Sequence, residues 1–178
     1  MGKNNNASIF FYLKFYSPII ILLIANLNEF DFNYLKLDYF SFNFSFILIF
    51  YWSLKSPQQL PIILIFICGL FNDVVTSLPI GLSSLNYLLI CGATAYVRNI
   101  TLRPNFMNDW ILFLITILIL NSINFLILQI FFNIEIDQMV YLINLGFTLI
   151  FFPIFFLAFE NFQKISSKIL WLIKTQVF

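Results

Sequence analysis

The sequence predicts an all-α integral membrane protein of about six transmembrane helices, with both termini cytoplasmic. Three observations carry that prediction. Hydrophobic residues make up 61% of the 178 and charged residues only 10%, with a mean hydropathy of +0.94, more apolar surface than a soluble domain of this size can bury. The apolar residues gather in blocks close to the ~20 helical residues that cross a ~30 Å hydrocarbon core. Charges collect in or near the joints between blocks, basic and acidic joints alternating along the chain. The chain reads as a single polytopic domain over 1–178.

The first block, 9–27, follows Lys3 and is interrupted by Lys14, about a turn and a half in, whose stem can snorkel to the cytoplasmic surface. It ends in "IANLNEF", which lacks a small-x-small cleavage site, so it is expected to remain as a helix. Five more blocks follow at 35–54, 60–75, 79–97, 109–132 and 139–159. The third is short and carries Asp73 near its end, which leaves both a full span and a re-entrant helix open. With the N-terminus inside, Lys3, Lys14, Lys55, Arg98, Arg103, Lys164, Lys168 and Lys174 fall on the cytoplasmic side and only Lys36 outside. Glu29, Asp31, Asp38, Asp73, Glu135 and Asp137 fall outside, with Asp109 and Glu160 inside. Retained basic residues mark the cytoplasmic face, so this sorting supports six spans over five. In the tail, 160–178, Phe162, Ile165, Ile169, Leu172 and Ile173 share a helical face opposite Lys164, Ser167, Lys168 and Lys174. That pattern suits an amphipathic cytoplasmic helix or a simple extension of the last span.

Composition also narrows the chemistry. Histidine is absent, which removes the commonest general base and metal ligand. Cys68 and Cys91 lie inside apolar blocks, where a thiol behaves as a small hydrophobe, so neither a disulfide nor a metal site is expected. No cofactor is expected either. A net charge of +1 with no basic run gives no reason to propose nucleic-acid binding. The 25 phenylalanines, with many Ile, Asn and Lys, fit an AT-rich coding sequence that spells lipid-facing positions as Phe.

Asp73 is the most informative ionisable residue, because a carboxylate near a bilayer must face protein, water or a partner. It either makes a polar contact in an extracytoplasmic turn, fixing the turn or meeting another subunit, or caps free amides in "VVTS" at a helix end. No carboxylate, histidine or lysine in its own block or the next completes an acid/base pair. In "TSLPIGLSS", Ser77 suits a helix cap, Pro79 the first turn of the next helix, and Gly81 a sharp bend or close backbone approach. Ser84, Cys91 and Ala95 recur as a narrow seam for a neighbouring helix. Asn121 and Asn124 are placed to hydrogen-bond across to Asn144 or Asn86.

The stretch "SPQQLPIILIFICGLFNDVVTSLPIGLSSLNYLL" resembles the rod shape-determining protein MreD family. The resemblance rests on Pro57 and Pro61, then Gly69 with Leu70, then Asp73, then "PIGL" from Pro79, with Arg98 and Arg103 after the span. Ser83 and Ser84 stand where many members carry His, Asn or Gln. It implies a non-enzymatic, multi-pass subunit of the bacterial cytoplasmic (inner) membrane within the machinery that elongates the side wall. Its implied partners are MreC, with MreB, RodA and the partner transpeptidase of RodA in the same complex. The implied fold is similar to the substrate-binding component of energy-coupling-factor transporters. Gly69, Asp73, Pro79 and Gly81 are the candidate structural or partner-contact residues. A second reading, a vitamin-binding transporter subunit docking an ATPase-bearing partner, takes Asn86, Asn121, Asn124 and Asn144 as pocket groups.

Overall fold

The computed structural model of the protein describes residues 3–27, 42–100, 105–133 and 138–175, and the side chains of 14–26, 42–99, 105–133 and 138–168. Each apolar block contains one α-helix: α1 (Lys3–Leu27), α2 (Phe44–Lys55), α3 (Ile62–Thr76), α4 (Leu82–Ile100), α5 (Phe106–Phe132) and α6 (Gln138–Thr175). A 3-10 turn at Pro57–Gln59 links α2 to α3, and no strand occurs among the described residues. Glu29, Asp31, Lys36, Asp38, Arg103, Glu135 and Asp137 lie outside the described residues, as do the side chains of Lys3, Ile169, Leu172, Ile173 and Lys174.

Residues 46–53 of α2 are buried without exception, which leaves this helix no outward side. It packs against α1, α4 and α6, and a helix apolar all round belongs at a centre. Aromatic rings fill the gaps between it and its neighbours. Phe50 meets Phe113 edge-on at 5.1 Å and Phe152 at 5.7 Å, while Phe113 and Phe152 stack at 4.1 Å. Trp52 sits 4.6 Å from Phe159. Each such pair contributes about 1 kcal/mol beyond its buried area. The expectation that phenylalanine marks lipid-facing positions is therefore corrected. Phe46, Phe50, Phe113, Phe152, Phe156 and Phe159 form the core, while Phe66, Phe71, Phe131 and Phe162 point outward.

The outer helices are two-sided. In α5 the inward stripe is Asp109, Phe113, Ile117, Leu120, Asn121, Asn124 and Leu128, at the three- and four-residue spacing of one helical face. The opposite side exposes Ile111, Ile115, Ile119 and Ile130, and α3 and α6 expose Ile62, Ile63, Val74, Ile150 and Ile154 in the same way. Water penalises such surface by roughly 25 cal/mol per Å², and hydrocarbon does not. Helix α5 and the stretch Gln138–Lys168 of α6 are long and apolar enough to cross a membrane. Helices α2 and α3, of 12 and 15 residues, rise only about 18 and 22 Å. Helix α6 runs unbroken to Thr175, so the tail extends the last helix.

Candidate functional site

The candidate residues of the third and fourth blocks meet at one end of the bundle, where α3 turns back along α4. A Cβ on Gly69 would lie 2.5 Å from Ser84 Cα and 2.6 Å from its N, so only hydrogen fits and the two backbones touch. Ser84 Oγ donates to the Phe66 carbonyl at 3.0 Å, which adds a polar tie beside that contact. Asp73 is 0% exposed and holds the turn with both of its ends. Its carbonyl accepts the amide of Ser77 and that of Leu78 at 3.0 Å. Its carboxylate accepts Gly81 N–H at 2.7 Å through Oδ2 and Ser83 N–H at 2.8 Å through Oδ1. Asn72 Nδ2 completes the corner by donating to Ser83 Oγ at 3.0 Å.

Helix α4 starts with unpaired amides and the positive end of its dipole, and a carboxylate satisfies both. The buried charge of Asp73 is thus balanced by backbone N–H groups. Of the two sequence readings, backbone bonding describes the side chain, but its targets are Gly81 and Ser83 across the turn, not the amides of "VVTS". Two local expectations are corrected. Ser77 does not cap α4; it ends α3 in the left-handed conformation at φ 56°, which brings its amide back onto Asp73. Pro79 is not in the first turn of α4, which begins at Leu82; it stands in the turn, its carbonyl accepting Leu82 N–H at 3.1 Å. Gly81 supplies the bend at φ +102°, a region that side chains rarely adopt. With both carboxylate oxygens engaged, the surface this corner offers a neighbour is mostly apolar, formed by Val74, Leu78 and Ile80, the last 78% exposed, with the exposed Ser77 among them.

A second polar centre escaped the sequence reading. Asn26, in the last turn of α1 and 2% exposed, donates to the Cys68 carbonyl at 3.0 Å. Its Oδ1 accepts Ser45 O–H at 2.8 Å and Tyr87 O–H at 3.2 Å. One amide thereby ties α1, α2, α3 and α4 together. In sequence Asn26 merges into the polar end "NLNEF", and only its place beside Leu22 on the buried face separates it. The other asparagines are arranged differently from expectation. Asn144 Oδ1 accepts from Asn43 Nδ2 at 2.9 Å, and the Asn121 carbonyl accepts Tyr141 O–H at 3.2 Å. Asn86 and Asn124 are 4% and 7% exposed, and their Oδ1 atoms have no hydrogen-bond partner among the described residues. The small-residue seam also divides. Ser84 faces α3, whereas Cys91 Sγ lies 3.3 Å from Ser53 Oγ on α2, and both cysteines are free.

At the far end from the Asp73 turn, a cavity of about 630 Å³ opens between α1, α2, α5 and α6, lined among others by Lys14, Lys55, Gln59, Asp109, Glu160 and Lys164. Asp109, read from sequence as a residue of a polar joint, is 3% exposed and accepts Lys55 Nζ at 2.7 Å. Lys55 also lies 5.4 Å from the centre of the Phe156 ring, a cation–π contact. Arg98 Nη1 donates to the Ser53 carbonyl at 3.1 Å, so Lys14, Lys55, Arg98 and Lys164 gather at one end of the molecule. Lys14 stands about three turns into α1, which begins at Lys3, and lines the same cavity as Lys55 and Lys164. Compared with known proteins, the chain matches no family model, no curated protein and no solved structure.

Proposed function

We propose that this chain is a non-enzymatic scaffold subunit of the bacterial side-wall elongation machinery, an MreD-like protein that crosses the inner membrane six times with both termini cytoplasmic. It would bind MreC and bring it together with MreB, RodA and the partner transpeptidase. The observation that carries this reading is the α3–α4 corner. Gly69, Asp73 and Gly81, residues of the stretch that resembles the family, each have a separate mechanical task in one closed turn. A turn fixed in this way presents Val74, Leu78 and Ile80 as a rigid apolar tip, suited to the transmembrane segment of a bitopic partner. Affinity purification of a tagged copy from native membranes in mild detergent, followed by mass spectrometry, tests it. Recovery of MreC and wall synthases is expected, and depletion should turn rod-shaped cells round. Rod-shaped growth after full depletion would overturn it.

A vitamin-binding transporter subunit is the second reading, favoured by the two buried amide oxygens of Asn86 and Asn124. Unpaired buried acceptors are what a donor-bearing ligand would satisfy. Co-purification of an ATPase pair, with a small molecule released on denaturation, would favour this reading over the scaffold.

A further inference from the structure

The cavity at the charged end has an uneven stock of hydrogen-bonding groups. Each of its acceptor side chains already has a donor within the chain: Asp109 holds Lys55 through Oδ2, Glu160 holds Lys164 through Oε1 at 2.8 Å, Gln59 Oε1 accepts Trp52 Nε1 at 3.0 Å, and Gln163 Oε1 accepts Tyr51 O–H at 3.3 Å. Its donors are not used up. Lys14 is the one lining lysine without an acidic partner among the described residues. Gln59 Nε2 has no partner among them, and Ser56 accepts Gln163 Nε2 at 3.2 Å, which leaves its own O–H to give. A lysine head, an amide and a hydroxyl ask for an anion with several acceptor oxygens. Beside these donors the rings of Phe106 and Phe156 line the same space, and about 630 Å³ falls within the usual range for a small-molecule site.

We propose that this cavity binds a phosphate-bearing group, with Lys14 as its charge partner, Gln59 and Ser56 as additional donors, and Phe106 and Phe156 against the apolar part attached to it. Phosphate offers a tetrahedral set of oxygens that can meet the lysine of α1 and the two donors of the α2–α3 joint at once, and charge-assisted hydrogen bonds are the stronger kind. The group can be the headgroup of an anionic lipid or a free phosphate, and nothing in the proposal depends on the scaffold reading.

The test uses the full chain purified in a phosphate-free neutral detergent, with dioctanoyl phosphatidic acid, dioctanoylglycerol and inorganic phosphate as probes, followed by native mass spectrometry and ligand-induced shifts in Tm. Phosphatidic acid should bind and dioctanoylglycerol should not. Lys14→Gln should weaken binding about tenfold and Ser56→Ala about threefold, while Lys14→Arg and Lys168→Gln, at a lysine that does not line the cavity, retain it. Lys14 has no acidic partner among the described residues, so Lys14→Gln should melt like the parent without ligand. Inorganic phosphate that binds alone and displaces the lipid would identify the free ion as ligand; lipid binding that depends on Lys14 but resists phosphate would identify the headgroup. Equal binding of dioctanoylglycerol and phosphatidic acid, or unchanged binding in both Lys14→Gln and Ser56→Ala, would overturn the proposal.

Discussion

The two ends of this bundle handle polar groups in opposite ways. At the α3–α4 corner, both carboxylate oxygens of Asp73 are spent on backbone amides, and Gly69 leaves no space between the helices. At the other end, Lys55 and Asp109 pair tightly, yet Lys14, Gln59 and Ser56 keep donors facing a cavity. The closed end fixes geometry, whereas the open end retains capacity to bind. Polar groups therefore serve different purposes according to whether their partners lie inside the chain.

The largest effect should come from opening the closed end. Asp73→Ala strands the amides of Gly81 and Ser83 and should lower stability by about 4 kcal/mol, read by unfolding in micelles with tryptophan fluorescence. Asp73→Asn keeps one acceptor and should lose less. At the open end, Lys55→Ala removes the partner of buried Asp109 and should lose about 2 kcal/mol, less than in a fully buried pair because the lysine is itself exposed, whereas Lys55→Met with Asp109→Leu should recover most of it. A double variant as unstable as the single one would show that the pair matters for more than its mutual charge.

Gly69→Ala sharpens the comparison further, because the new methyl meets backbone atoms that cannot move aside. A loss of about 2 kcal/mol is expected, and adding Ser84→Gly should not rescue it, since Ser84 Cα and N remain at 2.5 and 2.6 Å. Gly81→Ala meets nothing within 4 Å and should lose only about 1 kcal/mol, the conformational penalty at a positive φ. A larger loss there would mean that the bend carries packing as well as direction.

The same contrast explains what could be read in the sequence. The corner is built from residues within some fifteen positions of one another, so Gly69, Asp73 and Gly81 stood out in one short stretch. Their roles were partly legible, but where α4 starts was not, because Ser77 and Pro79 satisfy cap and first-turn preferences that tertiary geometry overrode. The six helical blocks and the gathering of Lys14, Lys55, Arg98 and Lys164 at one end were also legible, since hydropathy and charge are local properties. The cavity was not. It joins α1 to α6 across almost the whole chain, and no local pattern says that Lys55 will find Asp109, or that Lys14 will find no acid among the described residues. Asn26 escaped for the same reason, its three partners lying 19, 42 and 61 positions away.

The burial of α2 on every side has a consequence for how the protein is made. The helix is synthesised second, yet two of the elements that enclose it, α4 and α6, follow it on the ribosome. Until the chain has been extended to Phe159, the ring positions around Phe50 and Trp52 are only partly filled. Helix α2 must wait in an incomplete shell during biogenesis, and its final environment is created only when the last helix arrives.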